Sequence, residues 1–247
     1  MKADPFVQLR LLDLQALDTT LDRLAHRRRT LPELAEIERL EQLVAGSRDE
    51  VVRAETEAGD LARQAKKQED EIDVVRARRT RDEQRLAGGA VTSPKQLEDL
   101  QSEVASLVRR QSELEDRELE IMERAEEVQG GLDRLLAERD ARLAERDAAG
   151  ERRDVAQAEI DEERARVAAE RAELAPGFPA DLLNLYEKLR AENGGSGVGP
   201  IERGRCGGCR LDLMGNEKSE VRAAPADEVL RHEGCGRIMV RTAESGL

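Results

Sequence analysis

Apolar positions recur every seven residues along two long stretches of the chain. In the first, Ile37, Val44, Val51, Ala58, Ala65, Ile72 and Leu86 share one register, broken only by Arg79, and Leu40, Ala54, Leu61 and Val75 supply much of a companion register. In the second, Leu100, Leu107, Leu114, Ile121, Val128 and Leu135 repeat in the same way, with Leu97, Val104, Ala125 and Leu132 beside them. These are the a and d positions of a coiled coil. Gly88-Gly89-Ala90-Val91-Thr92-Ser93-Pro94 interrupts the pattern between them, as glycine and proline do. A short loop centred near Ala90 and Val91 makes the flanking helices antiparallel neighbours, with facing residue numbers summing to about 182. The arms then span about 4–87 and 94–175, roughly 120 Å at 1.5 Å per residue. Heptads alone do not distinguish one chain folded back from two paired chains.

Both arms weaken at one level. Thr30-Leu31-Pro32-Glu33 has the form of a helix restart, with Thr30 as cap, Glu33 closing a capping box and Pro32 in the first turn. Opposite it lies Gly150, where the second seam thins from Arg139 to Val155 and resumes at Ile160, Val167 and Leu174 in what reads as a shifted phase. A kink or stutter is expected there; the alternative is that Leu9 to Arg29 folds back as a third helix. After Pro176-Gly177-Phe178-Pro179, a short helix over 180–192 carries Leu182, Leu183, Leu185, Tyr186 and Leu189. Its expected partners are Phe6, Val7, Leu9, Leu11 and Leu12, which together with it form the one conventional core. The chain thus divides into a helical hairpin (1–193), a glycine-rich linker (194–200) and a terminal module (201–247) with turn residues and short alternating stretches.

Composition supports an elongated molecule. The 247 residues include no Trp, one Tyr and two Phe, and 38% are charged, too few large side chains for a compact core of this length. High charge also fits disorder, but the periodic Leu, Ile and Val and the abundance of helix formers favour long helices. No apolar run approaches the roughly 20 residues that cross a bilayer, and the first residues lack the apolar core of a signal peptide. A cytoplasmic location is expected, where cysteines stay reduced.

All three cysteines lie in the terminal module. Cys206-Gly207-Gly208-Cys209 and His232-Glu233-Gly234-Cys235 read together as C-x2-C, 22 residues, H-x2-C. Two pairs of soft or borderline ligands suit tetrahedral zinc, and a filled shell leaves no position for an activated water. A structural zinc is therefore expected on Cys206, Cys209, His232 and Cys235, compensating for a module too small to fold on its own core. A lone C-x2-C could be a redox motif, but the alternating strands and helices of that fold are absent. For His232 the bland reading is a solvated histidine, and its spacing favours ligation. His26, beside Arg27, Arg28 and Arg29, reads as solvated. The module resembles a zinc ribbon, so the fold class is mainly α, a long antiparallel coiled-coil hairpin with a small β-rich zinc ribbon at its C-terminus.

Net charge is −13, against a broad nucleic-acid footprint. From Ile201 onward eight basic residues balance eight acidic ones, so all the excess lies earlier. Arg203, Arg205, Arg210, Arg237 and Arg241 form one candidate patch for a partner or phosphate; Arg78, Arg79, Arg81 and Lys95, near the tip, form another. Charge runs on coiled coils more often solvate an outer face or pair across it, and the aromatics that stack on single strands are missing.

Thr92-Ser93-Pro94-Lys95-Gln96-Leu97-Glu98, Gly204-Arg205-Cys206-Gly207-Gly208-Cys209 with Leu213, and Cys235-Gly236-Arg237-Ile238 resemble the corresponding segments of a bacterial family with a C4-type zinc ribbon behind a long coiled-coil hairpin. In that family the second knuckle resembles Cys-Pro-x-Cys-Gly-Arg-Ile-Leu, so this chain departs by placing His232 and Glu233 at the first two positions. The resemblance implies a ribbon zinc and, through relatives implicated in flagellar regulation or secretion, binding of mRNA or protein. The sequence shows no phosphate loop, nucleophile and base set or open metal site. The reading is a non-enzymatic zinc-binding adaptor that presents its ribbon on a coiled-coil rod, with a protein partner expected and RNA or DNA second, and with no membrane or small-molecule substrate. The alternative is a structural spacer or oligomerisation protein.

Overall fold

The computed structural model describes residues 1–89 and 91–246; Ala90, at the expected loop centre, and Leu247, the last residue of the terminal module, lie outside the described residues. Two compact units are formed, one by residues 35–150 and the other by 1–34 with 151–247. Long helices form a hairpin, and a small C-terminal region holds short strands.

The 35–150 unit consists of most of α2 (Pro32–Ala87) and the first part of α3 (Pro94–Leu174). Leu40, Val44, Val51, Leu61 and Ile72 of α2 are buried, as are Leu107, Leu114 and Leu132 of α3; of the seam residues named above, Leu97 alone is exposed, at 38%. The arms meet within one chain. Arg124 pairs with Glu57 at 2.9 Å and Arg78 with Glu103 at 2.7 Å, and Gln68 Nε2 donates to the Leu114 carbonyl at 2.9 Å. These pairings follow the rule of 182 to within a residue. Arg142 reaches Ser47, and Arg79 reaches Gln111 at 2.8 Å, about two turns further along.

The shifted phase expected beyond Arg139 is corrected. The α3 helix runs unbroken to Leu174, and Ile160, Val167 and Leu174 stand in the register that already holds Leu97, Val104, Ala125 and Leu132. That register passes through Arg139, Arg146 and Arg153, whose side chains are only 30%, 33% and 33% exposed. Each aligns its guanidinium with the next residue, Asp140, Asp147 or Asp154, at 2.7, 2.5 and 2.6 Å. Arginine stems can fill a seam while their heads stay wet, so the thinning is one of polarity and not of phase. The first arm does break, between Arg29 and Pro32. Thr30 takes the opposite role from the one expected: its hydroxyl and N–H both donate to the His26 carbonyl and close α1 (Pro5–Arg29), so it is a C-cap and not the start of α2.

In the other unit, α1 lies antiparallel to 151–174 of α3. Leu24, Leu31 and Ile160 pack together, and Arg28 pairs with Asp161 at 3.1 Å. This pairing with the second arm is the one expected where 4–29 continues arm one. A single 3-10 turn (Ala175–Gly177) leads into α4 (Ala180–Glu192). The core joins Leu11 and Leu14 of α1, Leu182, Tyr186 and Leu189 of α4, and Val198, Ile238 and Val240 of the sheet. Phe6 and Leu9, expected in it, are 69% and 41% exposed, because the buried stripe of α1 runs through Gln8, Leu11, Leu14 and Asp18 instead.

Four short strands follow, β1 (Val198–Glu202), β2 (Arg205–Cys206), β3 (Leu230–Arg231) and β4 (Ile238–Val240), in the order β2-β1-β4-β3, with β1 and β4 parallel and the other pairs antiparallel. Strand β1 begins inside the glycine-rich stretch, whose remainder is fastened to α1: Gln15 accepts from Gly197 N and donates to Gly195 O, both at 2.8 Å. Residues 1–3 add a strap, with Ala3 N donating to Asp227 O at 2.8 Å and Val229 N to Met1 O at 3.1 Å. One helix, α5 (Gly215–Ala223), went unread in the sequence.

A buried polar cluster ties the helices of this unit together. Asp18, 1% exposed, accepts from Arg171 Nε at 2.6 Å and from the Tyr186 hydroxyl at 2.7 Å. Arg190 Nε approaches the same carboxylate at 3.7 Å. Burial, followed by the Asp18 bond, raises the Tyr186 pKa, and the bond to Asp18 is the main reason that of Arg171 is raised.

Candidate metal centre

The two knuckles have one backbone pattern. Cys206 O accepts from Arg210 N at 2.7 Å while Cys206 N donates to Leu211 O at 2.9 Å; His232 O accepts from Gly236 N at 2.7 Å while His232 N donates to Arg237 O at 3.0 Å. Each turn needs left-handed backbone at its fifth residue, and it falls on Gly236 (φ 71°) in one and Arg210 (φ 63°) in the other. Gly207 and Gly208 are needed for a reason other than turn conformation, since neither has positive φ. A Cβ on Gly207 would sit 2.8 Å from the Pro200 carbonyl oxygen, and one on Gly208 would sit 2.6 Å from Arg237 Cδ. Close passage of β1 and the second knuckle excludes side chains there.

These turns gather one donor atom each from Cys206, Cys209, His232 and Cys235 within 4.8 Å of one another. Cys206 Sγ lies 4.0 Å from Cys235 Sγ, and His232 Nδ1 lies 3.4 Å from Cys209 Sγ and 3.2 Å from Cys235 Sγ. Tetrahedral zinc, with bonds of about 2.3 Å to sulfur and 2.0–2.1 Å to nitrogen, sets S···S edges of about 3.8 Å and S···N edges of about 3.6 Å. The donor set fits. All three cysteines are free thiols, and a 4.0 Å separation is about twice a disulfide bond. Without metal the thiols are unequal. Burial pushes Cys206 up to about 11. Burial also acts to raise Cys235, but the Arg237 backbone N–H and then His232 and other donors outweigh it and hold that thiol at about 6. Behind the site, Ile201, Cys206, Leu213, Val221 and Met239 form a small core.

The ribbon arginines do not converge. Arg237 donates to the Ser196 and Asn193 carbonyls, and Arg241 to those of Val221, Ala224 and Pro225, where α5 ends. Arg205 pairs with Asp212 at 2.8 Å. Arg203 (φ 48°) and Gly204 (φ 75°) form the two-residue loop between β1 and β2, as a type I′ hairpin turn requires. Among the described residues, the guanidinium groups of Arg203 and Arg210 have no polar partner, and both residues are exposed. Toward the tip, Arg78 pairs with Glu103, Arg79 with Gln111 and Glu83, and Arg81 with the Ala77 carbonyl; Lys95 is exposed. Glu217 escaped the sequence reading. It is a buried carboxylate beside His232, and its only sequence signal is the third position of a helix start that was itself unread.

A long helical hairpin ending in paired knuckles around a soft donor set defines a coiled-coil protein with a zinc ribbon. The chain belongs to the CT398-like coiled coil hairpin domain family, matched over residues 14–194, and residues 205–239 match the C4-type zinc ribbon domain. It is 40% identical over 241 residues to an uncharacterized protein of Mycobacterium tuberculosis, covering 98% of each chain. Among solved structures it is similar to one from Mycobacterium smegmatis (TM-score 0.86, 36% identity, 98% of this chain and 100% of the other). It shares the fold of CT398 from Chlamydia trachomatis (TM-score 0.67, 23% identity, 96% and 98%). The ribbon match and the donor cluster together establish a structural zinc as the cofactor. Among the described residues no helix is long and apolar enough to cross a membrane.

Proposed function

We propose that this protein is a non-enzymatic adaptor of the cytoplasm in which Cys206, Cys209, His232 and Cys235 are the zinc ligands and the ribbon, held on a coiled-coil hairpin, binds a macromolecular partner. The carrying observation is the closed donor set. Four protein ligands fill a tetrahedral shell and leave no position where water or substrate could be activated, so the ion's contribution is to fix the shape of a surface. A protein is favoured over nucleic acid because Arg205, Arg237 and Arg241 are committed to partners within the ribbon, leaving Arg203 and Arg210 for phosphate contact. The spacer reading draws its support from the length of α3, 81 residues.

Photo-crosslinking separates these readings. A photoreactive residue replaces exposed Met214 on the ribbon or exposed Leu119 on the hairpin arm in the full-length, zinc-loaded chain, in cells. The adaptor reading expects a discrete protein adduct from the ribbon position that disappears when Cys206→Ser removes zinc. Nucleic acid in the adduct, with binding that weakens as salt rises, selects the phosphate reading. No adduct from either position leaves the spacer.

A further inference from the structure

We infer that Glu217 is a positioning residue of the zinc centre, holding the His232 ring through its outer nitrogen. The inference rests on the four-ligand reading above and goes beyond it. His232 Nδ1 faces the sulfurs of Cys209 and Cys235 at 3.4 and 3.2 Å, so Nδ1 is the ligating atom and a neutral ring keeps its proton on Nε2. That nitrogen points to Glu217 Oε2 at 3.8 Å, and both side chains are only 4% exposed. No water fits in that gap, since a bridging water needs roughly 4.5 Å or more between two polar atoms, each at about 2.8 Å from it. At 3.8 Å the pair is a close approach and not a hydrogen bond, and among the described residues Glu217 is the one acid within 4.0 Å of that nitrogen.

The carboxylate is itself fixed. Glu217 Oε1 accepts from Glu233 N at 2.9 Å and Oε2 accepts from Met214 N at 3.4 Å, so it links the start of α5 to the second knuckle. An acceptor on the free nitrogen of a ligating histidine sets its tautomer and orientation and raises its basicity. There is also a charge argument. Three thiolates, one neutral imidazole and Zn2+ sum to −1, and the adjoining carboxylate returns the cluster to the −2 of a four-cysteine site.

A double-mutant cycle on the full-length chain tests this, with zinc affinity measured by competition against a chromogenic chelator for wild type, Glu217→Gln, His232→Cys and the double variant. Glutamine removes the charge and keeps an acceptor oxygen for one of the two backbone N–H groups, and the loss of the other acceptor is common to both backgrounds. Glu217→Gln is expected to weaken zinc binding about 10- to 100-fold in the histidine background and less than threefold in the cysteine background. Equal loss in both backgrounds would show that Glu217 only supports the fold and would overturn the inference, as would no loss in either. If Glu217→Gln does not fold, nitrogen-15 NMR of the zinc-loaded wild type decides: a slowly exchanging His232 Nε2–H is expected, and a rapidly exchanging one contradicts the inference. Failure of the four-ligand reading is distinct, since Cys206→Ser would then leave zinc binding unchanged.

Discussion

Replacing Asp18 with asparagine removes a charge from the most buried polar cluster of the helical base while keeping its shape. Two short bonds converge on the carboxylate, from Arg171 and Tyr186. Bonds to charged groups contribute about 1.5–3 kcal/mol and neutral ones about 0.5–1.5, so the exchange weakens each by about 1 kcal/mol. Arg171 and Arg190 each keep a second carboxylate, Glu187 and Asp22, but lose the buried one they share. Removing one partner of a fully buried pair costs about 3–5 kcal/mol, and because these side chains are 24% and 23% exposed the lower end applies after allowance for solvent screening. The expected total is about 3 kcal/mol. Tyr186 is the only tyrosine and there is no tryptophan, so tyrosine fluorescence during urea unfolding reports this site alone. With a slope of about 2–3 kcal/mol/M, the midpoint should fall by about 1–1.5 M. A shift below about 0.3 M would refute the reasoning, showing that the arginines find water at no cost. Tyr186→Phe, followed by circular dichroism, should cost about 2 kcal/mol and combine with Asp18→Asn less than additively.

Arg210→Gly relieves a left-handed residue at the first knuckle and should stabilise the ribbon by about 1 kcal/mol, seen as slower zinc loss to a chelator; unchanged release would show that the turn is unstrained. Arg146→Leu places an apolar side chain at a seam position and should raise the melting temperature of the 35–150 unit, followed by helix dichroism, whereas Arg146→Gly should lower it; no difference between the two would remove Arg146 from the seam. In metal-free protein Cys235 should be alkylated first, at a rate that falls as pH drops through about 6, while Cys206 stays protected as a thiol up to about pH 11. Against the ordinary value of 9.0 the two act on stability with opposite signs. The depressed Cys235 gives stability that is full above pH 9 and lost as pH falls toward 6, and the raised Cys206 gives stability that is full below pH 9 and lost as pH rises toward 11. For these two groups the metal-free fold is therefore most stable near pH 9, and pH-dependent melting with a maximum elsewhere would contradict the assignment.

What could be read from the chain was what has a period or a spacing. The seams through Val51 and Leu114, and the knuckles at Cys206 and His232, repeat at intervals that physics fixes. What escaped depends on contacts between distant residues. Arg139, Arg146 and Arg153 fill a seam with methylenes that a count of apolar residues omits. Asp18 and Gln8 look like surface residues until α4 and the 1–3 strap cover them. Gly207 and Gly208 are demanded by the approach of Pro200 and Arg237, which no local pattern reveals. The α5 helix is nine residues long, too short to show a periodic stripe, and with it went Glu217.

The central claim is a closed site of three sulfurs and one nitrogen. X-ray absorption at the zinc edge on the purified full-length chain measures it directly. One zinc per chain is expected, with three sulfur neighbours at about 2.3 Å and one nitrogen at about 2.0–2.1 Å. A shell containing a water oxygen, or purified protein that carries no zinc, would contradict the account.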